Sequence, residues 1–232
     1  MFGPLGKKLI AHVSIGGFSF SFDLITIIVS WIVIALLVIF ALFLRRSLRQ
    51  EVDEKPNRVQ ALLDVLIDLV KSQLTSGFSS EKLAYELFSF VSTVFLYVLL
   101  CNWISLIPYF DSPTKDLNVA LSMSILVFVM SQLLAARAKG IPTYLKGFIE
   151  PYPFMLPINL VGEIAKPISQ GFRLFGNMFG GAILVGLVYS FAIPRWGFPV
   201  LLNAYFGIFS GFVQAFVFAI LTVAYINVAV ES

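Results

Sequence analysis

Between Asp23 and Arg45 the chain carries not one charged residue, and most of that stretch is Leu, Ile, Val and Phe. As a helix rising about 1.5 Å per residue it reaches across a hydrocarbon core of roughly 30 Å. Residues 22–44 are therefore predicted to span a membrane. Once one segment crosses, lipid allows only helices or a closed barrel for the others, because every backbone polar group must be satisfied internally. The later apolar runs are long and do not alternate, so the expected fold class is an all-α integral membrane protein. Composition agrees: 59% of the 232 residues are hydrophobic and 12% charged, with a mean hydropathy of +0.92, which excludes an ordinary soluble domain.

Taken in order, the pattern predicts one membrane domain over residues 1–232, with five membrane-spanning helices and one amphipathic interfacial helix. The amphipathic helix is expected at 57–77, where Val59, Leu62, Leu63, Leu66, Ile67 and Val70 recur at helical spacing opposite Asp64, Asp68 and Lys71. Further spans are expected at 88–108 and 117–136. Residues 156–193 and 200–230 are too long to stand upright in a core of roughly 30 Å, so they are expected to form a long, steeply tilted hairpin. Its turn would be Pro194 to Pro199, and Pro167 would bend its first arm.

Positive charge gives the orientation. Arg45, Arg46, Arg49, Lys55 and Arg58 follow the first span, and Arg137, Lys139 and Lys146 follow the third. Both loops are assigned to the cytoplasmic side, which puts the N-terminus outside and the C-terminus in the cytoplasm. That placement also accounts for the formal net charge of +3, and no nucleic-acid partner is expected. The N-terminal segment lacks the pattern of a cleaved signal and is expected to be retained. One cysteine, Cys101, excludes an internal disulfide, and one histidine, His12, cannot make a metal site alone. No cofactor is expected.

Arg173 is the costly residue. It lies deep in an apolar segment, where insertion costs roughly 2.5–3.5 kcal/mol and an ionisable side chain marks an ion or substrate path. Gly176, Asn177 and Gly180 share its helical face, so the guanidinium stands on a surface with almost no bulk. In the second arm Asn203, Gly207, Ser210, Gly211 and Gln214 fall on or near one face. Folding the hairpin brings Gln214 to the depth of Arg173. Gly207 and Gly211 are equally compatible with simple close packing of helices. Asn102 and Ser105, one turn apart, either line a water path or bond a neighbouring helix.

The residues LPINL (Leu156 to Leu160), EIAKPIS (Glu163 to Ser169), FRLFGNMF (Phe172 to Phe179) and VQAFVFAILTVAYI (Val213 to Ile226) closely resemble subunit a of the F-type ATP synthase. Weaker matches are CNWISLIP at Cys101 and KDLNVALSMSI at Lys115. The resemblance implies a stator subunit beside a ring of c subunits, with peripheral-stalk b subunits and the rest of the ATP synthase as partners. It implies that Arg173 is the essential charge, facing the ring carboxylate and separating two half-channels, with Asn177 and Gln214 beside it. Gly176, Gly180, Gly207 and Gly211 would be the small residues facing the rotor. The sequence departs from the family where many members carry an adjacent carboxylate pair, here Gly162 and Glu163, and where many carry a glutamate, here Ala182.

On that resemblance the expected function is translocation of an ion, expected to be a proton, through two offset half-channels in a bacterial inner membrane. Glu163, with Asn203 and Tyr225, is assigned to the inner half-channel; Asp116 with Asn118 stands in for the missing outer acid. With no GxxxxGK[ST] in the chain, nucleotide chemistry would belong to partner subunits. The alternative is a self-contained ion channel or secondary transporter, for which the chain lacks a convincing internal repeat.

Overall fold

A computed structural model describes residues 10–15, 18–47, 81–107, 111–149, 152–190, 201–202 and 204–231. Two strands, β1 (Ile10–Ile15) and β2 (Phe18–Asp23), pair antiparallel, with Ile10 opposite Asp23. This ribbon was not expected from the sequence, although FSFSFD alternates with the period of a strand. Asp23 ends it and accepts a hydrogen bond from Ile25 N at 3.1 Å, capping the helix that follows.

All other regular structure among the described residues is helical. The helices are α1 (Leu24–Ser47), α2 (Glu81–Trp103), α3 (Leu117–Lys139), the short α4 (Ile141–Gly147), α5 (Leu156–Ser190) and α6 (Gly211–Glu231). A π-helical turn, Tyr205–Ser210, leads into α6. Five of these segments are long and apolar enough to cross a membrane. The amphipathic helix expected at 57–77, the turn expected from Pro194 to Pro199, and Asn203 lie outside the described residues. Helix α5 continues through Pro167 without interruption.

Helices α2, α3, α5 and α6 make the packed centre. Val91, Val98, Val127, Leu174, Phe218 and Ala219 meet there, all but excluded from the surface. Helix α1 leans on α2 through Val29 and Val33, against Cys101 and Ile104, while Trp31, Ile39 and Phe43 point outward. Exposed apolar surface on this scale is suited to lipid rather than water.

The end of α2 is tied down by buried polar groups. Asn102 Nδ2 donates to Gly211 O (3.0 Å), and Thr114 Oγ1 donates to Asn102 Oδ1 (2.7 Å). Ser112 Oγ donates to Cys101 O (2.6 Å). Trp103 Nε1 donates to Ile208 O at 3.3 Å, so two side chains of α2 satisfy carbonyls where the π turn disturbs the regular ladder. Asn102 therefore bonds a neighbouring helix. Asp116 Oδ1 accepts from Asn118 N (2.9 Å) and caps α3. Gly140, at φ 83°, ends α3 in a backbone conformation that glycine reaches without strain.

Candidate functional site

Helix α5 has two different long faces. Gln170, Gly171, Leu174, Met178 and Gly181 are buried against the bundle. Phe172, Arg173 and Gly176 are exposed on the opposite side, and Asn177, also exposed, stands at the boundary between the two faces. A Cβ built at Gly162, Gly176, Gly180 or Gly186 would meet no atom within 4 Å, which makes that side an open lateral surface. Among the described residues Arg173 has no hydrogen-bond or ion-pair partner. One turn away, Asn177 Nδ2 donates to Oε1 of Gln214, a residue of α6 with only 3% of its surface exposed.

Toward the end of α5 that faces the 111–116 loop, a cavity of about 310 Å³ opens. Ser105, Asp111, Lys115, Asn177, Ala182 and Gly207 are among its lining residues. Lys115 Nζ donates to Asp111 Oδ1 at 2.9 Å. Asn177 thus belongs both to this cavity and to the contact with Gln214. Arg173 lies one turn deeper.

Toward the opposite end, Glu163 is held from two helices, its own and α3, with α4 reaching it through Gln132. The Glu163 Oε1 accepts from Lys166 Nζ, and its Oε2 accepts from Gln132 Nε2 at 2.8 Å. Tyr144 Oη in turn donates to Gln132 Oε1. Burial, then the negative charge of Glu163, raises the Tyr144 hydroxyl above its ordinary value of 10.0. Asn159 Nδ2 donates to Phe148 O at 3.0 Å and fastens the start of α5 to the same corner. From Arg173 the Glu163 Cα is about 15 Å back along the helix and the Ala182 Cα about 14 Å forward. The guanidinium stands between two polar regions.

Other residues singled out in the sequence lie elsewhere. Asp116 and Asn118 form the α3 cap and are not among the cavity's lining residues. Tyr225 is half-buried on α6, about three turns beyond Gln214. Gly207 and Gly211 are not on the open surface with Gly176 and Gly180. A Cβ at Gly207 would come within 2.3 Å of Leu106, and one at Gly211 within 3.1 Å of Asn102, so the end of α2 covers Gly211, and the 3-10 turn that follows it (Ile104–Leu106) covers Gly207, by close packing. Sequence reasoning gave no site role to Asp111, Lys115, Gln132 or Tyr144. It also missed Gln170, 1% exposed, whose Nε2 donates to Phe218 O at 3.2 Å while its Oε1 has no partner. A polar amide inside an apolar run was the available signal.

Fold and site together define a multi-pass α-helical membrane protein with a mid-span arginine on an open lateral face between two polar regions. The family model described as "ATP synthase A chain" matches residues 27–227. "ATP synthase subunit a" of Acidothermus cellulolyticus is 34% identical over 214 residues, covering 86% of this chain and 74% of that protein. "ATP synthase subunit a 1" of Crocosphaera subtropica is 32% identical over 201 residues, 87% and 84% of the two chains. "ATP synthase subunit a, sodium ion specific" of Propionigenium modestum is 35% identical over 218 residues, 88% and 73%. The chain belongs to the F-type ATP synthase subunit a family, and its role lies in the ion-translocating membrane sector of that complex.

Proposed function

We propose that Arg173 separates two ion half-channels and faces, across the open side of α5, a carboxylate carried in mid-membrane by a ring of c subunits. The observation that carries this reading is the position of Arg173: exposed, without a partner among the described residues, and flanked by glycines that leave room for another helix. A carboxylate crossing lipid must be neutral, whereas beside a guanidinium its ionised form is favoured. Each ring site therefore releases its ion on reaching Arg173 and reloads after passing it. The arginine stays charged throughout and repels a cation attempting the direct route.

The cavity lined by Asn177 and Ala182 is the outer half-channel, and the Glu163 corner opens to the inner one. Asn177 and Gln214 hold the surface beside Arg173. The long last two spans form the tilted hairpin that follows the ring, and b subunits brace the opposite side of the chain. The basic loops lie in the cytoplasm, with the N-terminus outside, in a bacterial inner membrane. The transported ion is a proton; the sodium-specific relative makes sodium the direct competitor in any assay. Each charge crossing releases about 2.3 kcal/mol per 100 mV, so several must pass for each ATP.

Gradient-driven ATP synthesis and passive ion leak in membrane vesicles carrying Arg173→Ala in an otherwise assembled complex test the proposal. Synthesis is expected to disappear and leak to rise. Synthesis near the parent rate with the complex intact would show that Arg173 is structural.

A further inference from the structure

The geometry points to Asp111, paired with Lys115, as the group that collects the ion at the mouth of the outer cavity. This inference rests on the proposed half-channel reading and assigns one residue within it. Three observations on the molecule lead there.

The first is chemical: among the residues lining the 310 Å³ cavity, Asp111 and Lys115 are the ionisable ones. The 3-10 turn after α2 (Ile104–Leu106) contributes Ser105, the π turn contributes Phe206 and Gly207, and α5 contributes Asn177, Met178, Gly181, Ala182, Val185 and Gly186, none of which can hold a charge. Asp116, the nearest other acid in the chain, is engaged in capping α3.

The second is mechanical. Asp111 is at the edge of a loop fixed from beneath by the bonds of Ser112 and Thr114 to Cys101 and Asn102. Its side chain is 85% exposed while that of Lys115 is 26% exposed. The carboxylate therefore faces the entrance and the ammonium lies further in.

The third is electrostatic. An unbalanced ammonium beside a cation path would repel the incoming ion, and Asp111 at 2.9 Å balances it. The carboxylate cancels that barrier; without it the ammonium would lower the local cation concentration. Beyond the pair, Ser105 and then the Asn177–Gln214 contact continue the polar lining toward Arg173. The volume far exceeds the roughly 10–15 Å³ that one water needs.

The test uses the whole complex in vesicles whose lumen corresponds to the outer side. ATP synthesis is measured at fixed voltage while luminal pH, and separately luminal sodium, is stepped. Asp111→Asn leaves the Lys115 ammonium uncompensated and is expected to raise the luminal ion concentration for half-maximal synthesis by about tenfold, the low end of what a cleft of one sign of charge does to local ion concentration, with the maximal rate retained. Ala182→Glu, which restores a carboxylate to the same cavity, is expected to recover most of that shift. An unchanged ion dependence in Asp111→Asn would overturn the assignment. So would a loss that Ala182→Glu leaves uncorrected in an assembled complex. Arg173→Ala, run in parallel, separates the two ideas: if it still makes ATP the half-channel reading fails, and if it does not, the Asp111 result is judged alone.

Discussion

Gly171 and Gly176 stand little more than one turn apart on α5, and the structure gives alanine at the two positions opposite consequences. At Gly171 a Cβ would lie 2.8 Å from both Leu121 Cδ2 and Ser124 Oγ, and 3.2 Å from the Leu121 backbone Cα. The side-chain tips can turn away. The main chain of α3 cannot, so the two helices must move apart. At Gly176 the same methyl meets nothing within 4 Å. Glycine-to-alanine gains about 1 kcal/mol of helix propensity at either site, and that gain cancels in the comparison. What remains is overpacking at Gly171, about 1–3 kcal/mol. The assay is the amount of chain retained in membranes, before and after a heat challenge, for each variant. A difference of about 1–2 kcal/mol alters abundance several-fold, so Gly171→Ala is expected to fall clearly below Gly176→Ala. Gly176→Leu adds the functional arm. It should keep parental abundance and lose ATP synthesis, because its bulk fills the open surface and not the bundle. Equal abundance of the two alanine variants would refute the packing of α5 on α3 described here.

Three further outcomes follow from particular contacts. Gln214→Leu removes the acceptor of the Asn177 amide, and the cycle with Asn177→Leu is expected to give a coupling of about 0.6 kcal/mol and no more than about 1.7, read from heat inactivation; strict additivity would disprove the contact. Glu163→Gln leaves the half-buried Lys166 without its carboxylate, so chain abundance should fall several-fold and recover in Glu163→Gln with Lys166→Gln; no recovery would mean that Glu163 is not stabilised through that pair. The raised Tyr144 hydroxyl favours the protonated form in the folded chain, so its stabilisation is complete below pH 10 and is lost only as pH rises through the raised value. An ultraviolet titration of the parent minus Tyr144→Phe should show this one phenol ionising above its ordinary range, and a normal curve would contradict the link to Gln132 and Glu163.

The membrane class and the exposed placement of Arg173 on α5 are legible in the sequence for separate reasons. Lipid demands long apolar helices, so hydropathy alone reveals that five of them exist. An arginine in such a run is too costly to be incidental, and its helical neighbours Gly176, Asn177 and Gly180 follow from periodicity. Partners across helices do not. The bond from Asn177 to Gln214 could be anticipated only as similar depth. That from Tyr144 to Gln132 joins two elements whose approach depends on the turn at Gly140. Gly207 and Gly211 show the limit most clearly: the small-residue pattern that suggests an open face is the same pattern that permits close approach, and only the position of α2 and of the turn after it decides between them. Asp111 is hidden for another reason. It lies in a loop, outside any periodic signal, and its relation to Ala182 exists only once α5 and the loop are folded together.

The division of α5 into two faces also explains why so exacting a helix can hold its arginine in place. Gln170, Leu174, Met178 and Gly181 recur every three or four residues on the buried side and fix the helix's rotation against α3 and α6. With that rotation fixed, Arg173 and Gly176 must point away from the bundle. A turn of the helix by one residue, about 100°, would carry the guanidinium toward the packed centre, where leaving an unpaired charge is far costlier than at a surface that another chain can complete. The buried face thus sets the position of the charge, the glycines keep the space before it empty, and the two polar regions lie at nearly equal distances along the same axis. A rigid helix with these properties holds one charge at a fixed place on an open face.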